Sequence, residues 1–489
     1  MSEAALARPV LKPGQLYIDG GWREAAGSAT MEVVDPSTSI VVGTVADAAD
    51  SDLDSAVAAA RKSFERGTWS RLSARERART LHRVADLMRE RADELVAIES
   101  MDVGKPVTFC RPVDVLNSAD QFEYCSALAQ TMDGSVRDTP MNAFAYTRRE
   151  PHGVVGAITP FNFPLVLSSN KLAPALAAGN SIVHKPAPDT PLSALAMAAI
   201  FEEAGIPAGV VNVVTGGRPA LGEAMLRHPD INKIAFTGST AVGRLIASSA
   251  GQNLKPISLE LGGNGAQIVF ADADLARVIP SIVKGMVFNA GQFCMGAPRL
   301  LVEASIEKDV VDALLAELAH VPVGDPFDPN TGMGPMAADR HVRNVEKYVA
   351  LGIESGGVVL TGGERLELNG GFYYLPTVIT GVANDSRIVQ EEIFGPVITV
   401  QTFRDEAEAI VLTNGTPYGL AAGLHTTNIA RAHRVAGQLE AGIVWVNDWA
   451  MLDPAVPFGG VKSSGYGREN GHEAIDEYTR TKSVVISLG

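Results

Sequence analysis

Apolar residues return along this chain at two periods, and the period changes partway through. Leu81, Val84, Met88, Leu95 and Ile98 recur at helical spacing with charges on the opposite face, behind Ser73 and Glu76, which form the capping pair S-x-x-E. The front of the chain therefore reads as helical. From about residue 153 the texture becomes short β-branched runs, at 154–159, 181–184, 210–214, 234–236 and 266–270, with helical stretches between them. Thr190-Pro191 supplies an N-cap and a first-turn proline for a helix closing near Gly205, and residues 239–250 predict another. After Glu260 the pattern repeats: a helix at 279–288, a strand at 300–303, a helix at 308–319, and strands at 397–403 and 443–446. Such alternation with short connections predicts an α/β fold of two successive parallel-sheet domains. Residues 151–170 carry no formal charge, yet Pro160, Asn162, Pro164 and Asn170 would break or wet a membrane helix, so the stretch reads as strand followed by loop. Segments 132–148 and 479–486 alternate β-formers with polar residues, as an exposed pair of edge strands would, and such edges favour self-association.

Composition narrows the function. The 489 residues are 46% apolar and 20% charged, enough for two or three packed domains at roughly 150 residues each. A formal charge of −15 repels nucleic-acid phosphate and anionic lipid, so neither is expected as a partner. Cys110, Cys125 and Cys294 form no CxxC and cannot all pair, which fits free thiols in a reducing compartment and predicts a cytoplasmic protein. Residues 1–15 lack the apolar core of a signal peptide. The histidines are scattered, with His425 and His433 the nearest pair and no HExxH or Cys/His cluster, so no metal is expected. Neither a P-loop nor a G-x-G-x-x-G after a strand is present, and phosphate binding must be sought elsewhere.

The candidate is Phe236-Thr237-Gly238-Ser239, a strand ending in a glycine turn that opens a helix whose free N–H groups face an anion. Lys185, in His184-Lys185-Pro186, stands at the C-terminal end of another strand, the edge where open α/β sheets bind ligands; a solvated surface lysine is the alternative. Cys294 follows a helix among glycines that let a backbone approach a ligand, or it is an inert core thiol. Glu260, flanked by Leu259 and Leu261, sits where a carboxyl pKa is pushed toward general-base range, or serves as a partly buried ion-pair partner. Asn162, in the proline-bounded loop 160–164, is an amide of the kind an oxyanion hole uses, or an Asx turn.

Taken together, Pro160-Phe-Asn-Phe-Pro164, Lys185-Pro, Phe236-Thr-Gly-Ser239, Leu259-Glu-Leu-Gly-Gly263, Gly291-Gln-Phe-Cys294, Glu392-Ile-Phe-Gly-Pro396 and Pro457-Phe-Gly-Gly460, in this order and spacing, closely resemble the aldehyde dehydrogenase superfamily over nearly the whole chain. The resemblance implies a Rossmann-type NAD(P)-binding domain from residues 1–131 and 149–259, a catalytic domain from 260–456 carrying the cysteine, and a bridging arm from 132–148 and 457–489 that makes homodimers or homotetramers. It also implies roles. Cys294 would attack an aldehyde, Asn162 and the Cys294 N–H would hold the oxyanion, and Glu260 would activate the water that releases the carboxylic acid. Glu392 and Phe394 would position the nicotinamide end of NAD or NADP, and Lys185 and Ser239 the adenosine ribose and pyrophosphate. Further cofactor contacts are implied at Ile158, Thr159, Pro160, Phe161, Gly222, Phe236, Thr237, Gly238, Val242, Leu261 and Gly262.

Glu260 favours water over coenzyme A as acyl acceptor, because acylating members of the family typically lack this base. A coenzyme A-acylating semialdehyde dehydrogenase and a catalytically silent relative are the alternatives. Three positions depart from the family pattern. Pro188 stands where NAD-preferring members carry Glu, with Asp189 displaced by one, which weakens repulsion of a 2′-phosphate and leaves NAD and NADP open, NAD slightly favoured. Asn264 replaces a common Lys and Phe161 a common Trp; neither is expected to abolish catalysis. By position in the family, Phe163, Leu167, Asn170, Phe293, Met295, Leu452 and Phe458 line the substrate tunnel, a mostly apolar set that suits a medium-length aliphatic or aromatic aldehyde.

Overall fold

The computed structural model describes residues 6–11 and 14–489. The expectation about a leader, resting on residues 1–15, falls partly outside them. Two sheets carry the fold. In the first, Val211–Val213, Ser181–Lys185, Val154–Ile158, Lys233–Thr237 and Ile257–Glu260 lie side by side and parallel, with Leu16–Ile18 and Gly465–Tyr466 antiparallel at the two ends and Gly21–Arg23 outside Leu16–Ile18. The order runs outward in one direction from Val154–Ile158 and in the other from Lys233–Thr237. A crevice therefore opens between those two strands at their C-terminal ends, where connecting segments part to opposite faces. The second sheet is parallel through Thr377–Thr380, Val397–Phe403, Arg299–Glu303, Ala266–Val269, Ala421–His425 and Ile443–Val446, with Val358–Thr361 antiparallel at its edge.

The predicted strands from residue 154 onward form within a residue or two of their expected bounds, and Ala74–Glu90 is capped by Ser73 and Glu76 as its sequence implies. The front of the chain is not purely helical. Four strands, Leu16–Ile18, Gly21–Arg23, Thr30–Asp35 and Ile40–Ala46, precede the first α-helix, Asp50–Arg66. β-Branched residues dominate the last of these, and a turn through Ser39 at φ +55° pairs it with Thr30–Asp35. The loop expected after Val154–Ile158 is short, and residues Pro164–Ala178 are helical. Pro164 occupies the first turn, where no N–H is required, so it opens the helix instead of breaking it. Thr190 is not the N-cap of the following helix, Leu192–Glu203: its hydroxyl donates to the Phe161 carbonyl at 3.0 Å, and Asp102 accepts from the Leu192 N–H at 2.8 Å.

Ala143–Pro151 pairs along its length with Thr479–Ser487, and Val136–Arg137 completes a separate three-stranded ribbon. The ribbon is shorter than the segments expected to form an arm, since Gly465–Tyr466 pairs with Ile257–Glu260 in the first sheet, where its strand direction and register suit that edge. Phe144, Val485, Ile486 and Leu488 are exposed on it or beside it. No helix among the described residues is long and apolar enough to cross a membrane.

Candidate active site

The site is built on strand ends and on the loops that the glycines let approach them. Glu260 is the last residue of its strand and is buried, with neither carboxylate oxygen hydrogen-bonded. Burial, with Glu469 nearby, holds its carboxyl well above the ordinary range, against the opposing pull of Lys171 and Arg468. Gly262 and Gly263 follow it because two other segments press on them. A Cβ on Gly262 would lie 2.3 Å from Glu392 Oε2, and one on Gly263 would lie 2.0 Å from the Cys294 carbonyl oxygen. The Gly263 N–H donates to Glu392 Oε1 at 2.8 Å, so one Leu-Gly-Gly turn seats both the Glu392 loop and the cysteine loop. Burial raises Glu392 to about 7.

Cys294 is half-buried in a loop that follows Asn289 and Ala290, both left-handed at φ +50° and +51°. Side-chain amides hold that loop. Asn162 Nδ2 donates to the Gln292 carbonyl at 3.0 Å, Asn289 Nδ2 donates to the Asn162 carbonyl at 2.8 Å, and the Ala337 N–H donates to Gln292 Oε1 at 3.0 Å. Burial, then the carboxylates of Glu392 and Glu260, push the Cys294 thiol pKa upward, so the resting group is a thiol.

Two cavities meet at this cysteine. The first, about 550 Å³, opens at the crevice between the two central strands of the first sheet and is lined by Ile158, Thr159, Pro160, Phe161, Asn162, Lys185, Phe236, Thr237, Gly238, Ser239, Val242, Leu261, Gly262, Glu392 and Phe394, with Cys294 at one end. The second, about 340 Å³, is lined by Phe163, Leu167, Phe293, Met295, Leu452 and Phe458, again with Cys294. Cys294 is the one residue common to both linings among the described residues. Two expected residues stand elsewhere. Gly222 lies in the helix Pro219–Arg227, outside the first cavity, whose wall there is Gly217, Arg218 and Pro219. Asn170, although it stands only three residues from Leu167 on the same helix, does not line the second cavity and donates instead to Glu469 Oε2 at 3.4 Å.

The first cavity has the chemistry of a dinucleotide site. Lys185 is buried and its ammonium makes one hydrogen bond among the described residues, to the Pro186 carbonyl at 3.5 Å; burial, against the weaker opposing pull of Asp47, lowers its pKa to about 8. The helix Thr240–Asn253 begins at the cavity wall with Ser239 as its N-cap, the Ser239 hydroxyl accepting from the Val242 N–H at 3.3 Å. A buried cation in no close ion pair among the described residues, a helix N-terminus and a cleft of this size fit a pyrophosphate-bridged cofactor.

Several residues of the site escaped the sequence reading. Arg340, His341 and Asn344 line the first cavity from the helix Asp339–Glu354. His341 stacks on Phe161 with ring centroids 4.1 Å apart and planes 19° apart, and Arg340 pairs with Asp189. Lys171 pairs with Glu469 next to Glu260. Lys171 did carry a signal: it is the lone charge in the helix Pro164–Ala178, and a buried ammonium requires an anion. Asn264, at the position of a common Lys, donates instead to the Val389 carbonyl at 2.7 Å.

Comparison with known proteins decides the family. The aldehyde dehydrogenase family model matches residues 22–484. The chain belongs to the aldehyde dehydrogenase family. It is 44% identical to an aldehyde dehydrogenase of Emericella nidulans, the match covering 98% of this chain and 97% of that one. Its fold superposes on the NAD-dependent aldehyde dehydrogenase of Sinorhizobium meliloti with a TM-score of 0.96 at 40% identity, covering 98% and 96% of the two chains. The indole-3-acetaldehyde dehydrogenase AldA of P. syringae, solved with NAD+ and IAA, also matches at a TM-score of 0.96 and 40% identity, covering 98% and 97%. This aldehyde dehydrogenase is an oxidoreductase that oxidises an aldehyde with NAD(P)+ as acceptor.

Proposed function

We propose that the chain converts an aldehyde to its carboxylic acid through a covalent intermediate on Cys294, with water as the final acyl acceptor. The observation that carries the reading is the position of Cys294 at the junction of a dinucleotide-sized cleft and an apolar cavity. In this reading the Cys294 thiol gives up its proton to solvent, and the sulfur attacks the aldehyde carbon to give a thiohemiacetal. The second N–H of the Asn162 carboxamide and the Cys294 backbone N–H stabilise its oxyanion. When bound, the cofactor supplies the hydride acceptor that takes this species to a thioester. Glu260 then removes a proton from water as the water attacks the thioester; the acid leaves and the Cys294 thiol is restored. Burial suits Glu260 to this role, since a carboxylate raised out of its ordinary range is a stronger base.

Lys185 and the helix start at Ser239 hold the phosphates and ribose, while Glu392 and Phe394 orient the nicotinamide end. Both NAD and NADP are accepted, because Asp189, the carboxylate nearest in sequence to the missing ribose acceptor, is paired with Arg340. The phenylalanines around the second cavity suit a medium-length aliphatic or aromatic aldehyde. The protein works in the cytoplasm as a homodimer or homotetramer built on the ribbon of Ala143–Pro151 and Thr479–Ser487, whose exposed apolar residues favour a partner. The test is NADH and NADPH formation across aliphatic and aromatic aldehydes, with product analysis and with coenzyme A added in a parallel series. Free acid as product and loss of turnover in Cys294→Ala are expected. Acyl-coenzyme A as product identifies an acylating enzyme, and silence across the panel a non-catalytic relative.

A further inference from the structure

Behind the apolar cavity lies a buried ionic cluster that the reaction does not use. Lys105, Asp114 and Glu99 are completely shielded from solvent. The Lys105 ammonium donates to Asp114 Oδ1 at 2.6 Å, stands 3.8 Å from Glu99 Oε1, and lies over the face of Phe163 at 3.9 Å from the ring centroid. Glu99 also accepts from the Ser193 hydroxyl. The cluster is not a saturated salt bridge: Glu99 Oε1 and Asp114 Oδ2 have no hydrogen-bond partner. Its third direction is aromatic. Phe163 lines the aldehyde cavity, packed against Phe288 and Phe293 at centroid distances of 5.7 and 6.0 Å.

Asp114 belongs to a π-helical turn, Cys110–Leu116, a geometry that is rare and concentrated at functional sites. Asp114 and Cys110 are buried on its inner side, while Pro112 and Val113 line the cavity, as does Phe109 just before it. The Lys105 carbonyl accepts from the Ser100 hydroxyl at 2.7 Å and faces Cys110 Sγ at 3.5 Å, so the backbone that carries the ammonium is fixed as well. A buried ion cluster is a poor source of stability compared with apolar residues of the same volume. What this one supplies is position, on two walls of one cavity at once.

We infer that the Lys105–Asp114–Glu99 cluster sets aldehyde selectivity, by clamping the Phe163 ring and the Pro112-Val113 turn into a fixed wall against which a planar or bulky substrate packs. These three are positioning residues, since none of them lines the cavity. The inference rests on the reading of that cavity as the aldehyde channel. A small aldehyde such as acetaldehyde reaches Cys294 without leaning on the wall; an aromatic aldehyde depends on it.

The test uses the full-length enzyme and compares acetaldehyde with phenylacetaldehyde. The neutral variant Lys105→Met/Asp114→Asn/Glu99→Gln removes the cation without stranding a buried charge. It is expected to raise KM for phenylacetaldehyde by about tenfold relative to acetaldehyde, with kcat and cofactor KM within about twofold of the parent. Phe163→Leu, which removes the ring and keeps the cluster, should shift the selectivity ratio in the same direction. The combined variant should shift it no further, as one shared path requires. An unchanged ratio, parallel loss for both aldehydes, or additive shifts overturn the inference. If the neutral variant does not fold, Lys105→Met/Asp114→Asn, which leaves Glu99 in place, decides by the same ratio. Val113→Trp separates the two readings. If it blocks aldehyde oxidation with cofactor binding intact, the channel stands and an unmoved ratio sinks the clamp alone; if oxidation continues, both fall.

Discussion

The Asn162 carboxamide donates to the Gln292 carbonyl at 3.0 Å, which ties the proposed oxyanion donor to the loop that carries Cys294 two residues later. One of its two N–H bonds fixes the distance between donor and nucleophile, and the other is left to meet an oxygen in the cleft. Asn162→Ala is expected to lower kcat by a hundredfold to a thousandfold, on the order found for a lost oxyanion donor, while the cofactor dissociation constant stays put. Stopped-flow turnover and cofactor titration on the same variant check it. Equal losses in both would mean that Asn162 only supports the fold of the loop.

Glu260 acts, in the proposed scheme, after the reduced cofactor has formed. Glu260→Gln should therefore still give a first turnover, one equivalent of reduced cofactor per active site, and then stall with the acyl group on Cys294. Steady-state turnover falls by about a hundredfold or more. Rapid mixing and intact-mass measurement read the burst and the adduct together, and absence of any burst would place Glu260 earlier in the reaction.

Lys185 gives a pH dependence whose sign follows from its burial. With its pKa lowered to about 8 in the free enzyme, the ammonium is lost as pH rises through that value. A dinucleotide phosphate favours the charged form, so the pKa is higher in the complex than in the free enzyme, and binding is coupled to proton uptake above about pH 8. Cofactor affinity is expected to be flat below pH 8 and to fall above it. Calorimetric titration from pH 6.5 to pH 9.5 tests this, and Lys185→Met should flatten the dependence while weakening binding at the lower end. A slope that survives the substitution assigns the titration to another group.

The elements that position this site were legible wherever chemistry depends on neighbours in sequence. Strand ends, the glycine turn at 236–239 and the Leu-Gly-Gly turn after Glu260 are local patterns, and they form as read. What stayed hidden are pairings across long stretches of chain. Arg340 meets Asp189 and Lys171 meets Glu469 only because the fold brings segments distant in sequence together, and no periodicity records that. The misreading of 164–170 as loop had a physical origin too: Pro164 looks like a breaker unless it is recognised as a helix opener. Reading it as helix would have exposed Lys171 as the lone charge of an otherwise uncharged, buried helix. Arg218 was missed for a related reason, since it lines the first cavity just ahead of Pro219–Arg227, the helix that was expected to contribute Gly222 instead.

The Arg340–Asp189 pair carries the last prediction, on cofactor choice. Three cations, Lys185, Arg218 and Arg340, and two carboxylates, Asp189 and Glu392, line the first cavity. Pro188 offers no acceptor for ribose hydroxyls and no charge against a 2′-phosphate, and Arg340 neutralises the carboxylate beside it. Arg340→Ala frees Asp189 to repel that phosphate, so KM for NADP should rise by about tenfold while KM for NAD changes by less than about threefold. Pro188→Glu acts from the other side, supplying the missing acceptor and a negative charge, and should raise the NAD over NADP ratio of kcat/KM in the same sense. Initial rates with both cofactors at a fixed saturating aldehyde measure the ratio for parent and variants. An enzyme that strongly prefers NAD before any substitution, and whose ratio Arg340→Ala leaves unmoved, would show that the 2′-position is policed by some other contact.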